Sequence, residues 1–400
     1  MDNRGKSLNL GLGKWLIFAY LVLFPLGQLI RVNYNFFGLT IPIHPLDIVT
    51  FISVPIYLLA VGRQPKVFSH ILGFLGVATF SLILSLTYFP ISSVFWGTLY
   101  LFRLFSYSTF FVIAWSTARK NESFKGVLFN GLILVAFFSA VFGWIQYFWI
   151  PDLTSLRYIG WDDHLYRLVG TFFDPGYTGI ILVFGFFTAL TKYLRKRQNS
   201  ALILSIFFLL SVAFTYSRAS YLALLAGVIW LVVKRRKFKV LFWVAAVVII
   251  VILALPRPAG EGVRLERLQS VYARSLNYSQ TLAIIYTKPL FGVGFNNICQ
   301  ARTELFAGEG FQSHACSGAD SSLLFVVATT GVIGLLAYLS MGLKILKAVD
   351  HDIYGQTFLI SSVGLITHSL FVNSLFYPWV MGYMAILLAI SITDNESSTG

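Results

Sequence analysis

Charge is what this chain has least of: Asp, Glu, Lys and Arg make up 12% of its 400 residues, against 57% hydrophobic. Clustered carboxylates and paired histidines are missing, so no group of ligands points to a metal. Strict apolar and polar alternation is missing as well. Lipid admits only helices or a closed barrel, because it cannot satisfy bare backbone groups, and continuous apolar runs select helices. No small-residue cleavage site follows the first apolar run, which therefore reads as a span and not as a removable signal. Nor does a pair of Gly- or Pro-broken spans recur in two halves, the pattern that many transporter folds show.

What is present is apolar length. The chain holds 38 Phe, 20 Tyr and 9 Trp, and runs of about twenty apolar residues recur, the length a helix needs to cross about 30 Å of hydrocarbon. The reading is an all-α polytopic helical membrane protein, a single integral membrane domain over 1–400 with about twelve transmembrane helices. The spans fall at about 15–30, 46–62, 67–88, 94–116, 126–150, 176–191, two within 200–233, 240–255, 321–343, 355–371 and 376–392. Most connectors are very short. The exceptions are a smaller loop, 152–175, and a large one, 256–320.

Basic residues orient the bundle. With the N-terminus inside, 19 Lys and Arg fall on the inner side and 10 on the outer, with Arg103 inside a span. The inner excess predicts cytoplasmic termini and outward-facing loops. The net charge of +14 therefore reflects a ring facing lipid headgroups and says little of nucleic acid. Nine of the ten outer cations are Arg, with Lys288 the exception. Arg presents a planar fork that pairs bidentately with phosphate, so Arg157, Arg167, Arg218, Arg264, Arg267 and Arg274 are candidates for a shared anion site. The plain alternative is that each pairs with a lipid phosphate or with a neighbour such as Asp162, Asp163, Glu261 or Glu266.

Within the large loop, Ser270 to Ile285 carries Val271, Leu276, Tyr278, Leu282 and Ile285 as an apolar stripe, which predicts an amphipathic lid helix bearing Arg274. The glycines of Pro289–Gly294 allow the chain to turn back tightly after it. Cys299 and Cys316 share this outward loop, an oxidising compartment, so a disulfide is expected; two buried free thiols are the alternative.

Three patterns together resemble the O-antigen ligase and polymerase superfamily. Arg167-Leu-Val-Gly-Thr-Phe-Phe-Asp174-Pro-Gly-Tyr-Thr is similar to its R-x-x-G-T-F-x-N-P-N segment. Thr215-Tyr216-Ser217-Arg218-Ala-Ser is similar to its T-x-S-R turn. Arg274 stands fifteen residues before Pro289-Leu-Phe-Gly-Val-Gly, much as an Arg precedes the family's P-L-x-G-x-G. The family often has a His ten intervening residues before a Gly that opens the next span. Here that position, relative to Gly331, is Asp320, and the nearest histidine is His314. The resemblance covers about 160 to 345, and the first five spans match it in hydropathy alone.

The resemblance implies a metal-independent membrane glycosyltransferase without cofactor, in the bacterial cytoplasmic membrane, with its large loop periplasmic. Its substrate would be an oligosaccharide on undecaprenyl pyrophosphate among membrane lipids, with the flippase and chain-length regulator of the same pathway as further partners. Arg274 and Arg218 would stabilise the leaving pyrophosphate, with Arg167, Arg264, Arg267, Tyr216 and Asp174 binding substrate. Asp320 or His314 would receive the acceptor proton. Asp320 is also a good helix start within Asp-Ser-Ser. Its replacement of the family His favours a polymerase of a surface polysaccharide over an O-antigen ligase acting on lipid A core. A transporter for polysaccharide or lipid is the reading from another class, resting on Arg103 with Tyr100 and Tyr107 at helical spacing.

Overall fold

A computed structural model of the protein describes residues 10–36, 39–236, 250, 254–256, 258, 260–306, 316 and 318–393. The protein is all-α and polytopic. Eleven of the twelve expected apolar runs form helices: α1 (Leu10–Leu23), α2 (Pro45–Ala60), α3 (Val67–Leu84), α4 (Ile91–Arg119), α5 (Glu122–Trp149), α6 (Pro175–Lys196), α7 (Asn199–Phe214), α8 (Arg218–Arg235), α11 (Ser322–Ala348), α12 (Ile353–Ser369) and α13 (Pro378–Ser391). The ninth expected span, 240–255, lies almost wholly outside the described residues. Two further helices, α9 (Gln269–Thr287) and α10 (Ile298–Leu305), belong to the large loop. By length and composition, α3, α4, α5, α6 and α11 are long and apolar enough to cross a membrane, while α1, α2, α7 and α13 are shorter apolar helices.

One feature was not expected. The connector between α1 and α2 contains a two-stranded hairpin, β1 (Val32–Phe36) antiparallel to β2 (Leu39–Ile43), with Asn33 opposite Pro42. Proline cannot donate to a ladder and is tolerated at an edge, which a two-stranded ribbon supplies on both sides.

Helix α6 is the axis of the bundle. From Pro175 to Ala189 nearly every residue is buried, and it packs against α5, α7, α8 and α12. A helix apolar all round belongs in the middle of such an assembly. Around it α4 packs on α2 and α13, α8 on α12, and α3 on α11.

The large loop does not simply cap this bundle; part of it enters. Helix α11 breaks at Gly331, whose φ of 67° and ψ of −171° lie in a region open essentially to glycine. A break strands backbone groups that lipid cannot satisfy. The segment Pro289–Gly294 fills the gap. Val332 N–H donates to Pro289 O at 2.9 Å and Ile333 N–H to Leu290 O at 3.3 Å, while Val293 N–H donates to Ala328 O at 2.9 Å. From α3, Ser81 Oγ lies 2.6 Å from Phe291 O and 2.7 Å from Thr329 O, stitching both strands of the insertion.

Close approach explains the glycines. A Cβ on Gly331 would sit 2.1 Å from Leu290 O, and one on Gly292 (φ 71°) would sit 2.4 Å from the Thr329 carbonyl carbon. By contrast, nothing lies within 4 Å of a Cβ on Gly342 of the same helix. Gly331→Ala and Gly292→Ala should each destabilise the protein by at least about 2 kcal/mol, from left-handed strain plus the clash. Gly342→Ala should be neutral or gain up to about 1 kcal/mol. Thermal melting of the detergent-solubilised variants by size-exclusion chromatography checks this; equal melting of all three would remove the insertion as a stability element.

Candidate active site

A cavity of about 880 Å³ opens at one end of the bundle. Its walls come from the segment after α1, the first half of α4, the starts of α2, α6 and α11, the α7–α8 turn, the α12–α13 connection, and both loops. These are the segments that the charge distribution assigns to a single side. A smaller pocket of about 240 Å³, lined by Arg195, Arg235 and His351 among others, lies at the opposite ends of α6 and α8.

The motif from Arg167 to Thr178 builds one wall by local chemistry. Asp174 caps α6, its Oδ1 accepting from Tyr177 N–H at 2.8 Å, with Pro175 at the first helical position, where its missing N–H costs nothing. Gly170 (φ 62°) and Phe173 (φ 58°) turn the chain into that cap. Gln146 of α5 holds the turn, its Oε1 accepting from Val169 and Gly170 N–H at 2.9 and 3.1 Å. Burial raises the Asp174 carboxyl above its usual range, opposed by the Tyr177 N–H bond and the Arg167 charge.

Arg167 is buried and points at the α7–α8 turn, donating from Nε to Thr215 O at 3.0 Å and from Nη2 to Tyr216 O at 3.3 Å. Burial, then the charge of Arg267, lowers its guanidinium to about 9. Tyr216 is also buried, with a φ of 49°. Its hydroxyl donates to Pro256 O at 2.5 Å, tying the turn to the start of the large loop, and it does not line the cavity.

Arg218, the first residue of α8, lines the cavity and reaches across to the large loop. It donates from Nη1 to Leu265 O at 3.4 Å and Arg267 O at 3.3 Å, and from Nη2 to Ser270 Oγ. Its fork thus fixes the approach to α9. Arg267 bonds Gly262 O at 2.7 Å and Arg264 O at 3.0 Å; burial and then the charges of Arg218 and Arg274 lower its guanidinium. The side chain of Arg264 is exposed and outside the cavity lining.

Helix α9 overhangs this chamber. Thr281 and Ile284 are buried on its inner face, while Val271, Tyr272, Leu276, Leu282 and Tyr286 are exposed. Tyr278 Oη donates to Leu370 O at 2.6 Å, docking the helix onto the end of α12. Arg274 lines the cavity and makes no hydrogen bond or ion pair among the described residues. One turn on, Asn277 Oδ1 accepts from the backbone N–H of Asp320 at 2.9 Å. Asp320 lines the same cavity immediately before Ser321, whose side chain caps α11. The helix-start role that Asp320 was open to therefore falls to its neighbour.

The segment ahead of Asp320 is secured twice. Cys299 of α10 and Cys316 form a disulfide with Cα atoms 4.6 Å apart. Arg302 of the same helix donates to Cys316 O and Gly318 O, both at 3.2 Å. His314 lies outside the described residues.

Two residues of the site carried no recognisable signal in the sequence: Arg31, which lines the cavity, and Asn277, which holds the backbone of Asp320 there. Arg103 was legible only as an intramembrane cation; it pairs with Asp47 Oδ2 at 2.8 Å and donates to Pro42 O at 2.8 Å. His164 is buried beside Arg167, and burial followed by that charge pushes its ring down to about 3.

The fold and cavity define an integral membrane protein with an arginine-lined chamber at one end of its helical bundle. Residues 201–339, about a third of the chain, match the family model described as O-antigen ligase. The match supports the O-antigen ligase and polymerase superfamily for this chain, and with it a membrane glycan-processing enzyme of the ligase or polymerase kind. No curated protein matches the chain.

The His164 shift has a sign that can be tested. A ring whose folded value lies below its ordinary 6.5 contributes stability above about pH 6.5, and that contribution is lost as pH falls toward 3. The melting temperature should therefore decline between pH 6.5 and 4 more steeply in the wild type than in His164→Gln. Parallel profiles would show that His164 titrates normally.

Proposed function

We propose that the protein is a polymerase of a surface polysaccharide, transferring glycan from undecaprenyl pyrophosphate to the hydroxyl of an acceptor glycan at the outer face of the cytoplasmic membrane, with both termini cytoplasmic. The observation that carries this reading is the arrangement on α9. Arg274 is a guanidinium with its donors uncommitted, and Asn277 one turn away holds the backbone of Asp320 in the same cavity. The lid thus carries a cation for the leaving group and is tied by its Asn277 to the residue whose carboxylate serves the acceptor.

In the proposed step, the acceptor hydroxyl oxygen attacks the anomeric carbon and its proton passes to the Asp320 carboxylate. The bond from the anomeric carbon to the pyrophosphate oxygen breaks, and its electron pair stays on that oxygen. The Arg274 fork meets the charge that develops there, where a sheltered site makes such pairing effective. Arg218 and Arg267 act on the lid, through the backbone contacts that set where α9 begins. Arg167 and Tyr216 act further back, holding the turn from which Arg218 projects.

Transfer to lipid A core, a ligase reaction, is the second reading; the description of the matched family favours it. It needs the same donor chemistry and differs only in acceptor. Arg103, on which a transport reading rests, is already paired with Asp47.

In proteoliposomes supplied with lipid-linked oligosaccharide, Arg274→Ala should raise the donor KM about 10- to 100-fold, the range for losing a charged hydrogen bond. Asp320→Asn should lower kcat by about 10² to 10⁴ with little change in donor KM, as expected for a lost general base. Wild-type turnover in Asp320→Asn would remove the base from Asp320. Lipid A core as the preferred acceptor would choose the ligase.

A further inference from the structure

The arginines around the cavity form two groups. Arg218, Arg267 and Arg274 belong to the large loop and the α7–α8 turn, where the charge of Arg274 bears on both of the others. Arg31 and Arg103 belong to a different wall, made by the segment after α1 and by α4, and their charges bear together on His44 at the start of α2.

This second wall carries an uncompensated charge. The Arg103 guanidinium, over the ring of Tyr100 at 5.2 Å, is matched by Asp47, whose buried carboxylate also accepts from His44 N–H at 3.1 Å. Arg31 makes no hydrogen bond or ion pair among the described residues, yet it is partly buried. A guanidinium withdrawn from water without a partner is costly, and here it faces a cavity large enough for a ligand of several rings.

We infer that Arg31, supported by Arg103 and Tyr100, forms a second anion subsite that takes a carboxylate or phosphate carried on the glycan, apart from the pyrophosphate. The inference rests on the proposed function, since it assigns the other end of the same substrate. It makes the preferred glycan an acidic one, and it makes Arg31 a specificity-determining residue.

The test is equilibrium binding to the protein in nanodiscs. Three probes are used: bare undecaprenyl pyrophosphate, lipid-linked oligosaccharide extracted from the source cells, and the same oligosaccharide after chemical reduction of its carboxyl groups. Arg31→Gln should bind the bare lipid as wild type does and the native oligosaccharide about tenfold more weakly. Arg31→Lys, which keeps the charge without the fork, should fall between. Arg274→Ala should weaken both unreduced probes. If carboxyl reduction weakens wild-type binding to the level of Arg31→Gln, the anion is a carboxylate; if reduction changes nothing while Arg31→Gln still loses tenfold, it is a phosphate. Equal binding of bare lipid and native oligosaccharide by the wild type overturns the subsite alone. So does an Arg31→Gln variant that loses both or neither. Wild-type protein that binds neither probe overturns the proposed function and the subsite with it.

Discussion

Guanidinium groups bonded to backbone carbonyls are the interaction on which the rest of the chamber depends. Arg167 holds two carbonyls of the α7–α8 turn, Arg218 holds two carbonyls ahead of α9, and Arg267 holds two more within that stretch. A carbonyl satisfies an N–H donor without cancelling its charge, unlike a carboxylate. The same side chains therefore set the shape of the loop and leave positive potential behind. They form a relay from the core outward: Arg167 fixes the turn, the turn presents Arg218, and Arg218 fixes the helix that carries Arg274.

That relay clarifies what the sequence motifs are. The stretch from Arg167 to Asp174, in which Arg167 and Asp174 are the expected substrate ligands, also carries architecture: a buried cation, two left-handed turns and a helix cap, with both of those residues lining the cavity. Tyr216 likewise anchors the large loop from within the core. Motif residues in a thin extramembrane layer have two tasks, because a loop without its own hydrophobic core must be positioned by polar contacts. Arg274 makes no such contact among the described residues and lines the cavity.

The bundle itself was legible because hydrocarbon imposes one solution on long apolar runs. The α9 helix was legible as a helix but its faces were not: Val271, Leu276 and Leu282 of the expected apolar stripe are exposed, and Thr281 and Ile284 are the residues buried. What escaped was anything decided by a partner distant in sequence. Arg31 looked like one more outer cation until folding placed it beside Arg103 and His44. Asn277 had no pattern at all, and its meaning comes wholly from Asp320, 43 positions away. The β-hairpin was hidden by Pro42, which argues against a strand unless both edges are known to be free. The break in α11 was hidden by hydropathy, which registers apolar length and is blind to a single backbone angle.

The inserted segment also bears on how the protein is made. An interrupted helix cannot enter hydrocarbon bare, since each exposed N–H or C=O costs several kcal/mol there. The groups that complete α11 lie upstream, at Pro289, Leu290 and Val293, and Ser81 of α3 clasps both sides. During synthesis from the N-terminus, both are already translated when α11 emerges. The insertion machinery can therefore release α11 only against a scaffold that has arrived first, and the order of these pieces along the chain is also an order of assembly in the membrane.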